Sequence, residues 1–322
     1  MDWDKLPDLE NKDRKILAIC GGGYAGLFAA AFLARLEVRL GAGRPLGERF
    51  DLIAGTSIGG LLALGLAKGM NASELPKLLI DLGPALFGDP GWGLFKPKHD
   101  VAPLAAKLAE LFGEIKLSDL PRRVLVPSVN LTGGEALVFG NGPNDPTRSI
   151  SVCEAALATS AAPYFLPPHR ADERLYADGG LVANSPEAIA AIEAVHGRGW
   201  PRDRVTMLVV GSTQASSRLA GHLITINWGL RAWLWNKRLL TSTMRAQMSL
   251  ARQQAERVLG KGRIVYVNVE LTAQEEKRVG LDKANAMATQ VLQTLAKEEY
   301  ERFCEEFSLL LDRWSDPSSR RP

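Results

Sequence analysis

One stretch of the chain constrains its fold more than any other: an apolar run ends in the pattern Gly-x-Ser-x-Gly, and a second apolar run follows at once. Residues 50–54 predict a buried strand, and residues 61–67 predict a helix rich in Ala and Leu. Ser57 stands between them, as in a nucleophile elbow, where a sharp turn presents the hydroxyl at the carboxyl end of the strand. Gly55 and Gly59 leave room for the backbone that such a turn brings close. An ordinary glycine-rich turn is equally compatible with this pattern alone.

A triple glycine lies between an earlier predicted strand at 15–20 and a predicted helix at 27–40. It reads Gly21-Gly22-Gly23-Tyr24-Ala25-Gly26 and leaves backbone amides open to a close neighbour. One interpretation is a dinucleotide-binding fingerprint. Against it, no acidic residue ends a second strand about 20 residues further on, where the ribose would be bound. Amides exposed in this way also suit the stabilisation of an oxyanion.

A serine nucleophile needs a base, and Asp178 fits that role better than the histidines do. Asp178 ends a short predicted strand and precedes Gly179 and Gly180, at the sheet edge where α/β proteins form their sites. An Asp-Gly-Gly by itself is most often only a turn, so the interpretation depends on the elbow and the triple glycine. None of the four histidines ends a strand as a triad histidine usually would: His99, His169, His196 and His222.

Predicted strands and helices alternate over the first two thirds of the chain, which indicates an α/β fold with a mostly parallel sheet. The last third is mainly helical, with apolar residues at helical spacing. We expect a catalytic core at 15–211, a mainly helical part at 212–314 packed on the same domain, and peripheral tails at 1–14 and 315–322. Further predicted elements are helices at 73–82 (capped by Ser73), 100–112, 151–160, 186–196 and 283–311, and strands at 124–130, 136–139, 174–177, 205–210 and 264–269.

Composition excludes several classes of function. The net charge is only +3, so no nucleic-acid polymer is expected as a partner. The three cysteines lie far apart without metal-ligand spacing, and we expect neither a metal nor a cofactor. The N-terminus lacks a signal-peptide core, and the longest apolar run, 25–34, is too short to span a bilayer. The expectation is a cytoplasmic protein that contacts the inner face of the membrane when active.

Taken together, these motifs resemble the patatin-like phospholipases over roughly residues 15–211. The family implies a three-layer α/β/α sandwich, here with a helical C-terminal extension, and hydrolysis of lipid acyl esters by a Ser–Asp dyad. On this chain the resemblance implies Ser57 as nucleophile and Asp178 as base. It also implies an oxyanion hole from the loop Gly21, Gly22 and Gly23, with the amide of Ile58. The other motif residues are Gly26, Gly55, Gly59, Gly179, Gly180 and the stretches 158–165 and 181–186.

Two positions depart from the family pattern. Ala25 stands where the glycine loop usually carries Arg or Lys, and Cys20 stands where many members have Asp. A cation at position 25 would steady the loop or attract a phosphate or oxyanion. Its loss would lower activity or change substrate preference, so we expect Ala25→Arg to raise activity on phospholipids.

The resemblance also implies partners. The substrate would be membrane phospholipid. Compact bacterial patatins of this size include effectors of anti-phage systems, so a cyclic-oligonucleotide activator and a homo-oligomer are expectations here. The cover of a resting site would be the Gly/Pro-rich loop 83–97 or the segment 222–240. In that segment Trp228, Trp233 and Trp235 alternate with basic residues, which suits either a membrane interface or a helix packed on the core.

Two alternative functions stay open from the sequence. One is a small-ester or thioester hydrolase that uses the same dyad. The other is a weakly active, ligand-gated patatin scaffold, which Ala25 favours and the intact Ser57 and Asp178 oppose.

Overall fold

The computed structural model describes residues 13–41, 43–87, 97–171, 173–215 and 238–315 of the 322-residue chain. The strands in these ranges are β1 Arg14–Ile19, β2 Leu52–Gly55, β3 Arg123–Asn130, β4 Glu135–Gly140, β5 His169–Ala171, β6 Arg174–Asp178, β7 Val205–Val210, β8 Gln214–Ala215, β9 Ile264–Val267 and β10 Glu270–Leu271. Eight of them form one sheet in the order β5-β6-β3-β2-β1-β7-β9, with β4 also paired with β3, and β8 pairs with β10.

The centre of the sheet is parallel, and one side of it is antiparallel. Strands β3, β2, β1, β7 and β9 run in the same direction, whereas β4 and β6 run against β3 and β5 runs against β6. All six residues of β1 are buried. A central parallel strand is covered on both faces, which explains why β1 is a continuous apolar run after its first two residues.

Helices cover both faces of the sheet. Leu17 and Ile19 of β1 pack in one core cluster, and Ile16 and Ala18 pack in another, because successive side chains of a strand point to opposite faces. The predicted three-layer α/β/α fold is therefore confirmed. The α-helices within the described ranges are α1 Gly26–Leu40, α2 Ile58–Lys68, α3 Leu75–Phe87, α4 Ala102–Phe112, α5 Val152–Ser160, α6 Gly180–Ala183, α7 Glu187–Ile192, α8 Arg238–Leu259, α9 Ala273–Arg278, α10 Ala286–Glu306 and α11 Ser308–Ser315.

Several predicted boundaries were wrong. Asn71, not Ser73, begins the segment at 72–74: it forms a capping box with Glu74, and α3 follows. Helix α3 continues through Pro84 to Phe87, so the predicted loop 83–97 begins as a helix and its residues 88–96 lie outside the described ranges. The predicted helix at 283–311 is two helices that meet at Phe307.

Strand β9 adds to the sheet, α8 packs against α7, and α10 packs against α1. These contacts come from the part of the chain predicted to be a helical extension, and its boundaries stay a prediction. Trp228, Trp233 and Trp235 fall among residues that the structure does not describe. Among the helices of the described ranges, none combines the length and the apolar character needed to cross a bilayer.

Candidate active site

The Gly-x-Ser-x-Gly stretch forms a sharp turn between β2 and α2. Ser57 takes φ 56° and ψ −128°, a backbone conformation with a positive φ that is strained for a residue with a side chain. The two glycines are required by close packing. A Cβ on Gly55 would lie 2.1 Å from the carbonyl oxygen of Gly59, and a Cβ on Gly59 would lie 2.5 Å from that of Ile19. Because the turn is held this tightly, Ser57 lies half-buried at the tip of the turn, as in a nucleophile elbow, and lines the pocket there.

Asp178 reaches Ser57 from an antiparallel strand. The register pairs Asp178 with Ser128 of β3, and β6 ends there instead of continuing along the sheet. The register of β2 on β3, continued beyond Ala54, brings Ser57 to the same level as Ser128. The Ser57 hydroxyl donates a hydrogen bond of 2.6 Å to Oδ2 of Asp178. The structure therefore brings together the two residues that the sequence singles out.

The environment of Asp178 tunes its acidity. The side chain is buried, with 5% of the residue exposed, and its Oδ1 accepts a 2.6 Å hydrogen bond from the amide of Gly180. Burial raises the pKa of Asp178 to about 6, against the lowering effect of the hydrogen bonds from Ser57 and Gly180. A carboxylate with this pKa is largely ionised at neutral pH and is still basic enough to take a proton from a hydroxyl.

No histidine lies between the two side chains, since they are in direct contact. His169 binds Glu154 instead, with Nε2 and Oε2 2.6 Å apart. His99 is buried between the rings of Phe87 and Phe165. Of the four histidines, His222 falls outside the described residues.

The glycine loop contributes two of its three amides to the pocket around Ser57. Gly22, Gly23 and Ile58 line this pocket, and in the described part of the chain none of their amides donates a hydrogen bond. Gly21 differs, because its amide donates to the carbonyl oxygen of Asn184 at 2.9 Å. Gly21 is therefore not available as an oxyanion donor. Gly22, Gly23 and Ile58 remain suited to the role, and the amide of Ile58 stands at the N-terminus of α2.

The two departures from the family pattern are both buried. Ala25 is 6% exposed and belongs to the main core cluster, so the described structure has no open space there for a cation. Because position 25 is buried, we expect Ala25→Arg to lower activity, which is the opposite of the outcome expected from the sequence. Cys20 is 2% exposed, with its Sγ 3.0 Å from Oγ of Ser185. Burial raises the pKa of the Cys20 thiol to about 12, which makes it unreactive.

Three supporting residues were assigned no role from the sequence, although two of them, Thr159 and Asn184, lie in its motif stretches. Thr159 Oγ1 accepts a 3.0 Å hydrogen bond from the amide of Ser57 and donates one of 2.6 Å to the carbonyl oxygen of Pro127. Ser128 ties β3 to the carbonyl oxygen of Ala177 at 2.8 Å. Asn184 binds both the amide and the carbonyl of Gly21. Thr159 and Asn184 lie in the motif stretches 158–165 and 181–186, and Ser128 lies in β3. Nothing local in the sequence indicates the partners of these three side chains.

The pocket above Ser57 and Asp178 is mainly apolar and narrow. Its free space is about 80 Å³, against ~300–1,000 Å³ for typical small-molecule sites. Apolar walls next to a serine and a base suit an acyl ester, whose chain would lie along the walls. No cluster of potential metal ligands occurs in the described ranges. The apolar lining residues are Ile58, Leu61, Leu86, Phe87, Leu104, Ala162, Pro163, Phe165, Leu181, Met244 and Leu281.

Comparison with known proteins gives consistent relatives. Residues 17–191 match the family model described as patatin-like phospholipase. A protein named cGAMP-activated phospholipase from Escherichia coli (strain TW11681) is 34% identical over 313 residues, which cover 88% of each chain. Proteins of the same name occur in Pseudomonas aeruginosa, 36% identical over 86% of this chain and 85% of the relative, and in Vibrio cholerae, 34% identical over 93% of each.

The family model covers more than half of the chain. The chain in turn aligns with most of the length of each relative. Both findings agree with the fold and with the serine elbow. The chain is therefore a serine acyl-ester hydrolase and belongs to the patatin-like phospholipase family.

Proposed function

We propose that this chain hydrolyses acyl esters of membrane phospholipids with a catalytic dyad of Ser57 and Asp178. The observation that supports the dyad is the 2.6 Å hydrogen bond from the Ser57 hydroxyl to the Asp178 carboxylate inside an apolar pocket. A base in direct contact with a serine that lines the pocket is the arrangement that nucleophilic catalysis requires.

The reaction would follow two steps. Asp178 takes the Ser57 proton as Oγ attacks the ester carbonyl, and the negative charge on the carbonyl oxygen is bound by the amides of Gly22, Gly23 and Ile58. The lysolipid alcohol leaves with the proton from Asp178, and an acyl-serine remains. Asp178 then takes a proton from water, which attacks the acyl-serine and releases the fatty acid, and the proton returns to Ser57.

The test uses phospholipid vesicles and mass spectrometry of the released products. The expected products are fatty acid and lysophospholipid, and Ser57→Ala and Asp178→Asn should each lose at least about a thousandfold in rate. Thr206→Ala is the matched control, because Thr206 lies on β7 away from the pocket. Retained turnover in either dyad variant would assign the chemistry to other residues.

A small-ester or thioester hydrolase remains the competing activity, and the narrow pocket favours it. The two are separated by comparing kcat/KM for a short-chain ester, an acyl thioester and a phospholipid under the same conditions. A phospholipid rate far below both others, with and without added nucleotide, would reject the phospholipase proposal. No turnover of any of the three would favour the scaffold alternative instead.

We further propose that the activity is switched on by a cyclic oligonucleotide and acts on the inner face of the membrane in anti-phage defence. Two observations support this. The relatives carry the name cGAMP-activated phospholipase, and the free space of the pocket, about 80 Å³, is small for a lipid acyl chain. Leu86 and Phe87, at the end of α3, are the part of the proposed cover 83–97 that the structure describes at the pocket.

The switch predicts that cGAMP raises vesicle hydrolysis by binding the open state more tightly than the closed one. A homo-oligomer of the active form is part of the proposal, and sedimentation with and without cGAMP tests it. Full activity of an unchanged monomer without any nucleotide would leave a constitutive lipase.

A further inference from the structure

A second cavity lies beside the active site, at the same edge of the sheet. Cys20, Gly211 and Asn268 each follow a parallel strand, β1, β7 and β9, and together they form its floor. The carboxyl ends of parallel strands are where open α/β sheets bind ligands. The volume is about 520 Å³, within the ~300–1,000 Å³ of typical ligand sites. The charged and aromatic residues that line this second cavity are Glu187, Arg245, Arg252, Tyr266 and Glu270.

The wall of the second cavity contains a buried carboxylate with one unpartnered oxygen. Glu187 is 1% exposed, and its Oε2 has no hydrogen-bond partner within the described ranges. The hydroxyl of Tyr266 is buried and equally unpartnered among the residues described. Burial raises the pKa of Glu187, against the lowering effect of hydrogen bonds from Ser185 and from its own backbone amide and of the Arg252 charge. Buried polar groups are almost always hydrogen-bonded, so this pair points to a ligand that supplies the missing bonds.

The same cavity offers a stacking surface and two arginine side chains, Arg245 and Arg252. The guanidinium of Arg252 lies 4.2 Å from the centre of the Tyr266 ring. Arg245 and Arg252 are seven residues apart on α8, so they stand two turns apart on one face of that helix. A planar aromatic ligand with phosphate groups matches these features, because rings stack on guanidinium and phenol planes and phosphates pair with arginine.

The unpartnered carboxylate selects among planar ligands. A carboxylate only accepts hydrogen bonds when it is ionised. Guanine presents two neighbouring N–H donors on its base-pairing edge, whereas the corresponding edge of adenine combines one donor with an acceptor that would face the carboxylate. The buried Glu187 therefore fits guanine better than adenine.

Helix α8 connects the second cavity to the active site. Met244 lines the pocket of Ser57, while Arg245, Met248, Ser249 and Arg252 line the second cavity. The Met248 sulfur accepts a 3.4 Å hydrogen bond from Nδ2 of Asn184, the residue that binds Gly21 of the glycine loop. A ligand in the second cavity would thus act on a helix that lines the active-site pocket and is linked to the glycine loop through Asn184.

We infer that the second cavity binds a guanine-containing cyclic nucleotide through Glu187 and Arg252 and transmits its binding to the active site through α8. That the ligand acts as an activator depends on the phospholipase function proposed above, whereas the binding site itself does not. The names of the relatives make cGAMP the natural probe.

The test is equilibrium binding of cGAMP and of cyclic di-AMP to the full chain by titration calorimetry. We expect Glu187→Gln to weaken cGAMP binding by about a hundredfold and to shift preference towards cyclic di-AMP, because an amide matches the donor and acceptor of adenine. Arg252→Ala should weaken both nucleotides at least tenfold. Arg257→Ala is the matched control, since Arg257 is exposed on the same helix and does not line the cavity.

Two outcomes would overturn the inference: no cGAMP binding to the wild-type chain, or wild-type affinity in both Glu187→Gln and Arg252→Ala. Thermal melting checks that each variant folds. Should Glu187→Gln fail to fold, Arg252→Ala decides the outcome, because the Arg252 side chain is 57% exposed and its removal leaves the core intact.

Vesicle hydrolysis measured in parallel separates the two proposals. Specific binding without any hydrolysis supports the nucleotide site and refutes the phospholipase. Hydrolysis that cGAMP stimulates equally in every variant supports the phospholipase and refutes the nucleotide site.

Discussion

Replacing Asp178 by Asn should abolish activity and at the same time stabilise the fold. Burial raises the pKa of Asp178 to about 6 from an ordinary value of 3.8. Between these two pH values the folded chain holds a proton that the unfolded chain releases, so stability falls as pH rises through this window. Above pH 6 the full cost of the buried charge is present. At 1.36 kcal/mol per pKa unit, this cost is about 3 kcal/mol.

An asparagine has the same shape without the charge, and it can still accept the hydrogen bond from the amide of Gly180. Asp178→Asn should therefore gain up to about 3 kcal/mol at pH 8 and about half of that at pH 5. For a chain of 322 residues, at about 2.1 cal/mol/K of unfolding entropy per residue, the gain at pH 8 corresponds to roughly 4–5 °C in Tm. The assay is thermal unfolding at both pH values, beside vesicle hydrolysis.

Ser57→Ala is the control that separates inactivity from stabilisation. It removes the hydroxyl and one hydrogen bond to the carboxylate but leaves the buried charge, so it should be inactive without gaining stability. Two results would refute the conclusion that the site holds a buried ionised carboxylate. One is that Asp178→Asn gains no stability, and the other is that its gain is the same at pH 5 and pH 8.

Four further outcomes are expected. Activity should rise with pH through about 6 and fall about tenfold per unit below it, as a pH–kcat/KM profile would record, because Asp178 acts as a base only when ionised. Gly23→Ala should be inactive in the ester assay, since Gly23 has φ 54° and its new Cβ would lie 2.1 Å from the carbonyl oxygen of Leu281. Ala25→Arg should lower both Tm and activity, because it places a charged side chain in the core; raised activity would mean that the arginine finds an exit to solvent. Thr159→Val should lower Tm by an amount equivalent to about 1–3 kcal/mol, because it leaves the Ser57 amide without its acceptor; an unchanged Tm would contradict this role.

The sequence predicted the parts of the site that depend on local backbone geometry. The elbow at Ser57 and the glycine loop follow from short patterns, because glycine is required wherever backbones approach within van der Waals distance. Helix ends were predicted less well. Asn71 and Glu74 form a cap that begins two residues before Ser73, the predicted cap, and Pro84 lies inside a helix where a loop was expected.

Asp178 lies beside Ser57 as the sequence predicted, but the structural reason differs from the predicted one. The sequence analysis placed it at the carboxyl end of a strand in a mostly parallel sheet, near the corresponding end of β2. The structure instead has β6 antiparallel to β3, and Asp178 meets Ser57 because β6 ends opposite Ser128. Strand direction and register depend on pairing between residues distant in the chain, which no local pattern records.

By itself, then, the sequence determined the α/β alternation, the strained serine turn and the acidic turn at Asp178, since each depends on residues that are neighbours in the chain. Only the tertiary structure decided which glycine amides stay free and what surrounds Ala25. It also placed α8 between the active site and the cavity of Glu187. These features arise from contacts between segments far apart in the chain, such as Tyr24 with Thr289, which are 265 residues apart, and such contacts form only when the layers pack.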